Sequence, residues 1–216
     1  MTFRPPKPEP VRLDGPAGVL EALLEEPADA VPGRFAVVCH PHPLHGGTMN
    51  NKVVHTLART FNELGIRSLR FNFRGVGASE GSYAEGIGET EDALAVIEWG
   101  RVRWPGAEPL LAGFSFGGIV ALRAAGRVRP QRLVTVAPAV TRLDVRDVRV
   151  PDCPWLIVQG DADEIIDARA VLDWAARLTP SPTVKVLPGV THFFHGHLPE
   201  LREAVMSFMK DLPDGA

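Results

Sequence analysis

Residues 110–126 read LLAGFSFGGIVALRAAG, and the reading of this stretch decides the fold. LLAGF, at 110–114, is a short continuous apolar run of the kind a strand covered on both faces requires. FGGIVALRAAG, at 116–126, reads as a helix. Between them, Gly113-Phe114-Ser115-Phe116-Gly117 places a serine where a strand turns at once into a helix. So sharp a turn imposes strained backbone angles on Ser115, and a side chain at 113 or 117 would collide with neighbouring backbone. The turn lifts the hydroxyl above the sheet edge. The N–H of Phe116 then lies at a helix N-terminus, where developing negative charge is favoured.

Working outward, apolar runs at 35–40, 66–73, 132–138, 155–160 and 183–189 read as further strands. Helical spacing marks 51–65, 89–103, 168–178 and 199–212. In the first of these helices Val54, Leu57, Ala58, Phe61 and Leu64 share a face, and Gly65 is a natural C-terminal stop. Strands alternating with helices predict an α/β fold with a mostly parallel sheet covered on both faces. Upstream, apolar alternation around Asp14-Gly15 suggests an antiparallel edge hairpin, with a helix over 19–26 as the alternative. Residues 1–10 hold four of the twenty prolines and read as an extended arm. No repeat, low-complexity tract or linker divides the chain, so a single domain over 1–216 is expected.

At 216 residues, with 45% hydrophobic and 23% charged residues, the composition is that of an ordinary globular protein. A formal charge of −3 offers no basic field for nucleic acid or anionic lipid. The N-terminal stretch lacks an export signal, and no apolar run approaches the roughly 18 residues of a membrane span. Cys39 and Cys153 are the only cysteines; two reduced thiols fit a cytoplasmic setting better than a disulfide framework. Nucleic acid and membrane are therefore not expected as partners, and oligomeric state is not legible.

A serine hydroxyl is a weak nucleophile and needs a base, itself oriented by an acid. Asp161, Asp163, Glu164 and Asp167 follow the strand at 155–160 as candidate acids. His192, His195 and His197 follow the strand at 183–189 as candidate bases. Both clusters fall at the C-terminal ends of strands, where such sheets place ligands. A second histidine cluster, in CHPHPLHGGTMN at 39–50, could be a metal site through His40, His42 and His45. A hydrolytic metal site also recruits a carboxylate or a general base, and nothing acidic occurs from 39 to 62. The loop is better read as a source of backbone donors, with no metal expected. Pro41 has no N–H, so His42 is the candidate oxyanion donor, with His40 bracing the loop. Gly46-Gly47 permits a tight turn, and Thr48 and Asn50 are candidate helix caps.

Taken together, G-x-S-x-G at 113–117, HPHPLHGGTMNNKVV, LRFNFRGVGASEG, GIGETEDALAVIEW and THFF resemble the α/β-hydrolase superfamily. The resemblance is to a group of small, cap-less bacterial hydrolases or esterases, loosely related to dienelactone hydrolases and acyl-peptidase catalytic domains. It spans about residues 35–210. It implies an eight-stranded sheet, no cofactor, and a Ser-Asp-His triad. Within the open clusters, the superfamily's G-x-x-D pattern selects Asp163 and its G-x-x-H pattern selects His192. Asp161 then reads as a loop hydrogen bonder and Asp167 as a helix N-cap. Position 115 is serine, not the cysteine typical of dienelactone hydrolases, and 139–153 is too short for a cap, which implies an open, shallow site. Arg74 and Ser79 read as structural, and Leu44, Met49 and Phe193 as candidate substrate contacts. The implied activity is cleavage of a small-molecule ester through Ser115, His192 and Asp163, with the N–H groups of His42 and Phe116 holding the oxyanion. A thioesterase, a peptidase, or a non-catalytic binding protein of the same fold are the alternatives.

Overall fold

The computed structural model describes residues 3–146 and 148–212; the first two residues of the proline-rich arm lie outside them. The elements in chain order are β1 Glu9–Gly15, β2 Gly18–Glu25, β3 Arg34–Cys39, α1 Lys52–Glu63, β4 Arg67–Phe71, α2 Ile87–Arg103 and β5 Glu108–Phe114. There follow α3 Phe116–Val128, β6 Arg132–Val136, β7 Trp155–Gly160, α4 Ala168–Ala175, β8 Thr183–Leu187 and α5 Leu198–Met209. The eight strands form one sheet in the order β1-β2-β4-β3-β5-β6-β7-β8. The β1–β2 and β2–β4 pairs are antiparallel, and every later pair is parallel.

Alternation along the strands divides the apolar side chains between two cores. Phe35, Val37 and Cys39 join the layer beneath α2, α3 and α4. Ala36 and Val38 join the layer beneath α1 and α5. The central strands β3, β5 and β7 are therefore buried along nearly their whole length and mostly apolar, with Arg34, Glu108 and Gln159 as the exceptions, as suits a strand covered on both faces.

One expectation holds and one is corrected. The antiparallel edge hairpin around Asp14-Gly15 forms as β1 and β2, and the helical alternative over 19–26 falls, because Leu20, Ala22 and Leu24 alternate into the core from a strand that runs to Glu25. The cap of α1 is neither Thr48 nor Asn50 but Asn51, whose side chain accepts the N–H of Val53. Thr48 Oγ1 accepts the N–H of Asn50 and so stabilises the turn just before the cap. Gly65, at φ 73°, ends α1 as expected.

Candidate active site

Ser115 sits at φ 55°, ψ −115°, between the end of β5 and the start of α3. That conformation is costly for a non-glycine residue and persists because its surroundings over-determine it. The Ser115 N–H donates to Val136 O at 2.8 Å, and its carbonyl accepts from Gly118 and Ala139. The flanking glycines are obligatory on steric grounds. A Cβ on Gly113 would lie 2.1 Å from Gly117 O, and one on Gly117 would lie 2.3 Å from His40 O and 2.4 Å from Cys39 O. Helix α3 thus begins in direct contact with the end of β3, which brings the histidine loop to the serine.

The acid and histidine loops meet in the same way. A Cβ on Gly160 would lie 2.1 Å from Val190 O, so the chain leaving β7 runs flush against the chain leaving β8. Across this contact His192 Nδ1 lies 2.8 Å from Asp163 Oδ2, and His192 Nε2 lies 3.1 Å from Ser115 Oγ. A carboxylate can only accept, so Nδ1 carries the proton and the lone pair of Nε2 faces the serine. Phe114 packs on the imidazole with ring centroids 5.0 Å apart, and Phe193 meets it edge-on at 5.2 Å.

Asp163 is held by more than His192. Its Oδ1 accepts the N–H groups of Ile165 and Ile166 at 2.9 and 2.8 Å. Its Oδ2 also accepts Nε2 of Gln159 at 3.0 Å. Burial alone would raise its pKa, but the hydrogen bonds from His192, Ile166 and Ile165 outweigh it and hold the carboxyl below the usual aspartate range. An acid so held stays ionised, which is what orienting an imidazolium requires. The other acids have different partners. Asp161 accepts the N–H of Gly189, Asp167 caps α4 through Arg169, and Glu164 accepts the backbone N–H of His192. Of the remaining histidines, His195 Nδ1 faces Lys52 Nζ at 2.8 Å and His197 pairs with Glu200 at the entry to α5.

The histidine loop is fixed from β4. The Phe73 N–H donates to His40 Nε2 at 3.0 Å, which puts the other proton on Nδ1, 2.6 Å from Pro41 O. His40 is fully buried, and burial drives its pKa down to about 4. Both ring nitrogens are engaged, so His40 has no lone pair to offer a metal. Asn72 and Arg70 take the N–H and the carbonyl of Met49, and Arg70 is paired in turn with buried Glu25 at 2.8 Å.

His42 turns the opposite way. Its Nδ1 accepts the Leu44 N–H, its Nε2 lies 3.3 Å from Tyr83 Oη, and its ring packs on Phe116 at 4.9 Å. Among the described residues, the backbone N–H groups of His42 and Phe116 have no hydrogen-bond acceptor. Both therefore remain available to a developing oxyanion.

Leu44 and Phe193 are 69% and 40% exposed beside these loops. Met49 is a correction: it is buried, with its backbone tied to Asn72 and Arg70, and gives a substrate almost no surface. Arg74 and Ser79 are structural. Arg74 forms a fork on buried Asp92, and Ser79 Oγ links Asn72 O to the N–H of Glu21. Gln159 and Tyr83 had no sequence signal beyond their side-chain type, since each is identified only by a partner on a different loop or turn.

Between β6 and β7, the described residues of 137–154 form no helix or strand that could cover the site. An eight-stranded α/β sheet, a strained serine on the β5–α3 turn and an uncovered site define the class as a lidless α/β hydrolase.

The comparisons agree. The family model described as serine aminopeptidase, S33, matches residues 41–151. A crystal structure from Xanthomonas campestris, described as an α/β serine hydrolase without lid, is 45% identical with a TM-score of 0.92, covering 99% of each chain. An α/β serine hydrolase homologue from Coxiella burnetii is 42% identical with a TM-score of 0.89, covering 95% of this chain and 99% of its own. An uncharacterized protein of Rickettsia prowazekii is 34% identical over an alignment of 210 positions that covers 92% of this chain and 87% of its own. The chain belongs to the serine aminopeptidase S33 family of α/β serine hydrolases.

Proposed function

We propose that the protein hydrolyses small carboxylic esters through Ser115, His192 and Asp163. One observation carries the reading: the continuous hydrogen-bonded chain Asp163–His192–Ser115, at 2.8 and 3.1 Å, ending on the strained turn. His192 Nε2 takes the hydroxyl proton as Oγ attacks the ester carbonyl, and Asp163 stabilises the imidazolium. The N–H groups of His42 and Phe116 hold the oxyanion. Collapse expels the alcohol, which takes the proton from His192. Water then enters with His192 again as base and releases the carboxylic acid. No cofactor takes part.

The open site favours an ester over an amide. An alkoxide is expelled far more readily than an unprotonated amide nitrogen, so turnover of an ester depends less on a deep groove aligning the leaving group for protonation. The same machinery could act on thioesters and peptides, so the test is a comparison. p-Nitrophenyl esters, acyl-CoA and aminoacyl-amides are offered to the wild type and to Ser115→Ala. The proposal expects kcat/KM highest on the short esters and lost in the variant. Faster cleavage of aminoacyl-amides would assign a peptidase, and no turnover of any substrate would favour a binding protein.

A further inference from the structure

A cleft of about 510 Å³ lies between the first turns of α2, the second half of α3 and residues Asp144, Val148 and Arg149. Its size falls in the range of small-molecule sites, about 300–1,000 Å³. Apolar Ile87 and Val148 line it together with Arg123, Arg127 and Arg149. Ile87 is 63% exposed, an apolar side chain left in water at the lip.

The charges of this cleft are unevenly matched. Arg127 pairs with Glu91, and Arg149 faces Asp152 at 3.6 Å. The carboxylate of Asp144 is taken by Arg146. Arg123 differs: its Nη2 donates to the backbone carbonyl of Asp144 at 2.9 Å, while its Nη1 is buried with no acceptor. Asp144 and Glu89 both stand near enough to act on this charge, but the Asp144 carboxylate is held by Arg146 and the Glu89 oxygens by the N–H groups of Ala84 and Gly86. Buried polar groups are nearly always satisfied, so an orphan guanidinium nitrogen calls for an explanation. Helical side chains lean toward the N-terminus, and Arg123 accordingly reaches back over Gly86, where an added Cβ would lie 2.7 Å from Nη1.

One chemistry meets both features. Arg123 is the lining arginine that no side-chain carboxylate among the described residues pairs, so a neutral apolar molecule would leave its charge unmatched, and a bare phosphate would leave Ile87 and Val148 uncovered. We propose that the cleft binds an organic acid, with its carboxylate on Arg123 and its hydrocarbon body between Ile87 and Val148. Arg123 lies eight residues beyond Ser115 on α3, about 12 Å along the helix axis. None of Ser115, His192 and Asp163 lines the cleft, so the proposal does not depend on the esterase reading. Gly86, beneath the guanidinium, also abuts the Phe116 ring, so an occupant would sit one residue layer from a candidate oxyanion donor.

The test is a titration of ¹⁵N-labelled protein with 3-phenylpropionate, followed by amide chemical shifts. The controls are 3-phenylpropanol and inorganic phosphate. Saturable shifts are expected at Ile87, Thr90, Gly126 and Val148, with weaker responses to both controls. Arg123→Gln should weaken binding about tenfold to a hundredfold, the ordinary worth of a hydrogen bond to a charged group. Ile87→Ser, on an exposed side chain, should weaken it several-fold without disturbing the fold. The proposal fails if these amides do not move, if the alcohol binds as well as the acid, or if shifts are confined to His42, Ser115 and Phe116. Unchanged binding in a folded Arg123→Gln protein would also overturn it, leaving Arg123 as the counter-charge of buried Glu89. Should Arg123→Gln not fold, Ile87→Ser and the acid-against-alcohol comparison decide.

Discussion

Gly117 and Gly118 are adjacent in sequence and opposite in what they tolerate. A Cβ on Gly117 would lie 2.3 Å from His40 O and 2.4 Å from Cys39 O, whereas ordinary contact begins at 3.4 Å. Both obstacles are backbone at the end of β3, and His40 is pinned there by Phe73. Gly117→Ala can be relieved only by parting α3 from β3, by roughly 1 Å. That shift moves the Phe116 N–H away from the His42 N–H, and if the two hold the oxyanion as proposed, misplacing one donor costs about 10²–10³ in turnover. Overpacking adds a folding cost of about 1–3 kcal/mol. A Cβ on Gly118 meets nothing closer than 3.4 Å, from Gly113 O and Pro138 Cα, so Gly118→Ala should stay within a few-fold of wild type. The assay is steady-state hydrolysis of p-nitrophenyl acetate, with circular dichroism to establish folding. A folded Gly117→Ala protein with near-normal kcat would refute the reasoning, as would equal damage from Gly118→Ala.

Three further outcomes follow from the geometry. Asp163→Asn should lower kcat by about 10⁴, because an amide that donates to His192 selects the wrong tautomer; KM for the same ester should change little. Gln159→Leu removes one donor from Asp163 Oδ2 while leaving the two backbone donors on Oδ1. It should reduce kcat by a smaller factor, about tenfold, and raise the pH at which the acid limb of kcat/KM sets in. Finally, His40 titrates near 6.5 when unfolded but about 4 when folded, so the unfolded chain binds its proton first. Its stabilising contribution, about 3 kcal/mol, is complete above pH 6.5 and lost as pH falls toward 4. Urea midpoints should drop across that window in the wild type and less steeply in His40→Asn; parallel curves would remove His40 as the cause.

The fold was legible because its strongest signals are local. β5, the Ser115 turn and α3 lie within one short stretch, and the glycine pattern there has a single steric explanation. The acid and histidine loops could be placed for the same reason, each directly after an apolar strand. Choosing Asp163 over Asp161 and Glu164 was different, since periodicity does not distinguish them. The choice came from a family pattern, and the geometry explains it: Asp161 turns back to Gly189 and Glu164 reaches the backbone of His192. What the sequence could not show is set by contacts across the sheet. Gln159 matters because β8 delivers His192 to the same Asp163 oxygen. Tyr83 meets His42 across 41 positions of sequence. The buried Arg70–Glu25 pair anchors Met49 from two strands away, which is how a residue read as a substrate contact proves to be part of the scaffold. Residues 19–26 carried a pattern that fits strand or helix, and the pairing partner β4 decided it.

The most direct test of the central claim is covalent labelling. Wild-type protein is treated with a fluorophosphonate, its intact mass is measured, and the adduct is located by peptide mapping. A single adduct on Ser115, lost in Ser115→Ala and strongly slowed in His192→Ala, is the expected result. A folded protein that remains unlabelled, or one modified at another residue, would contradict the account.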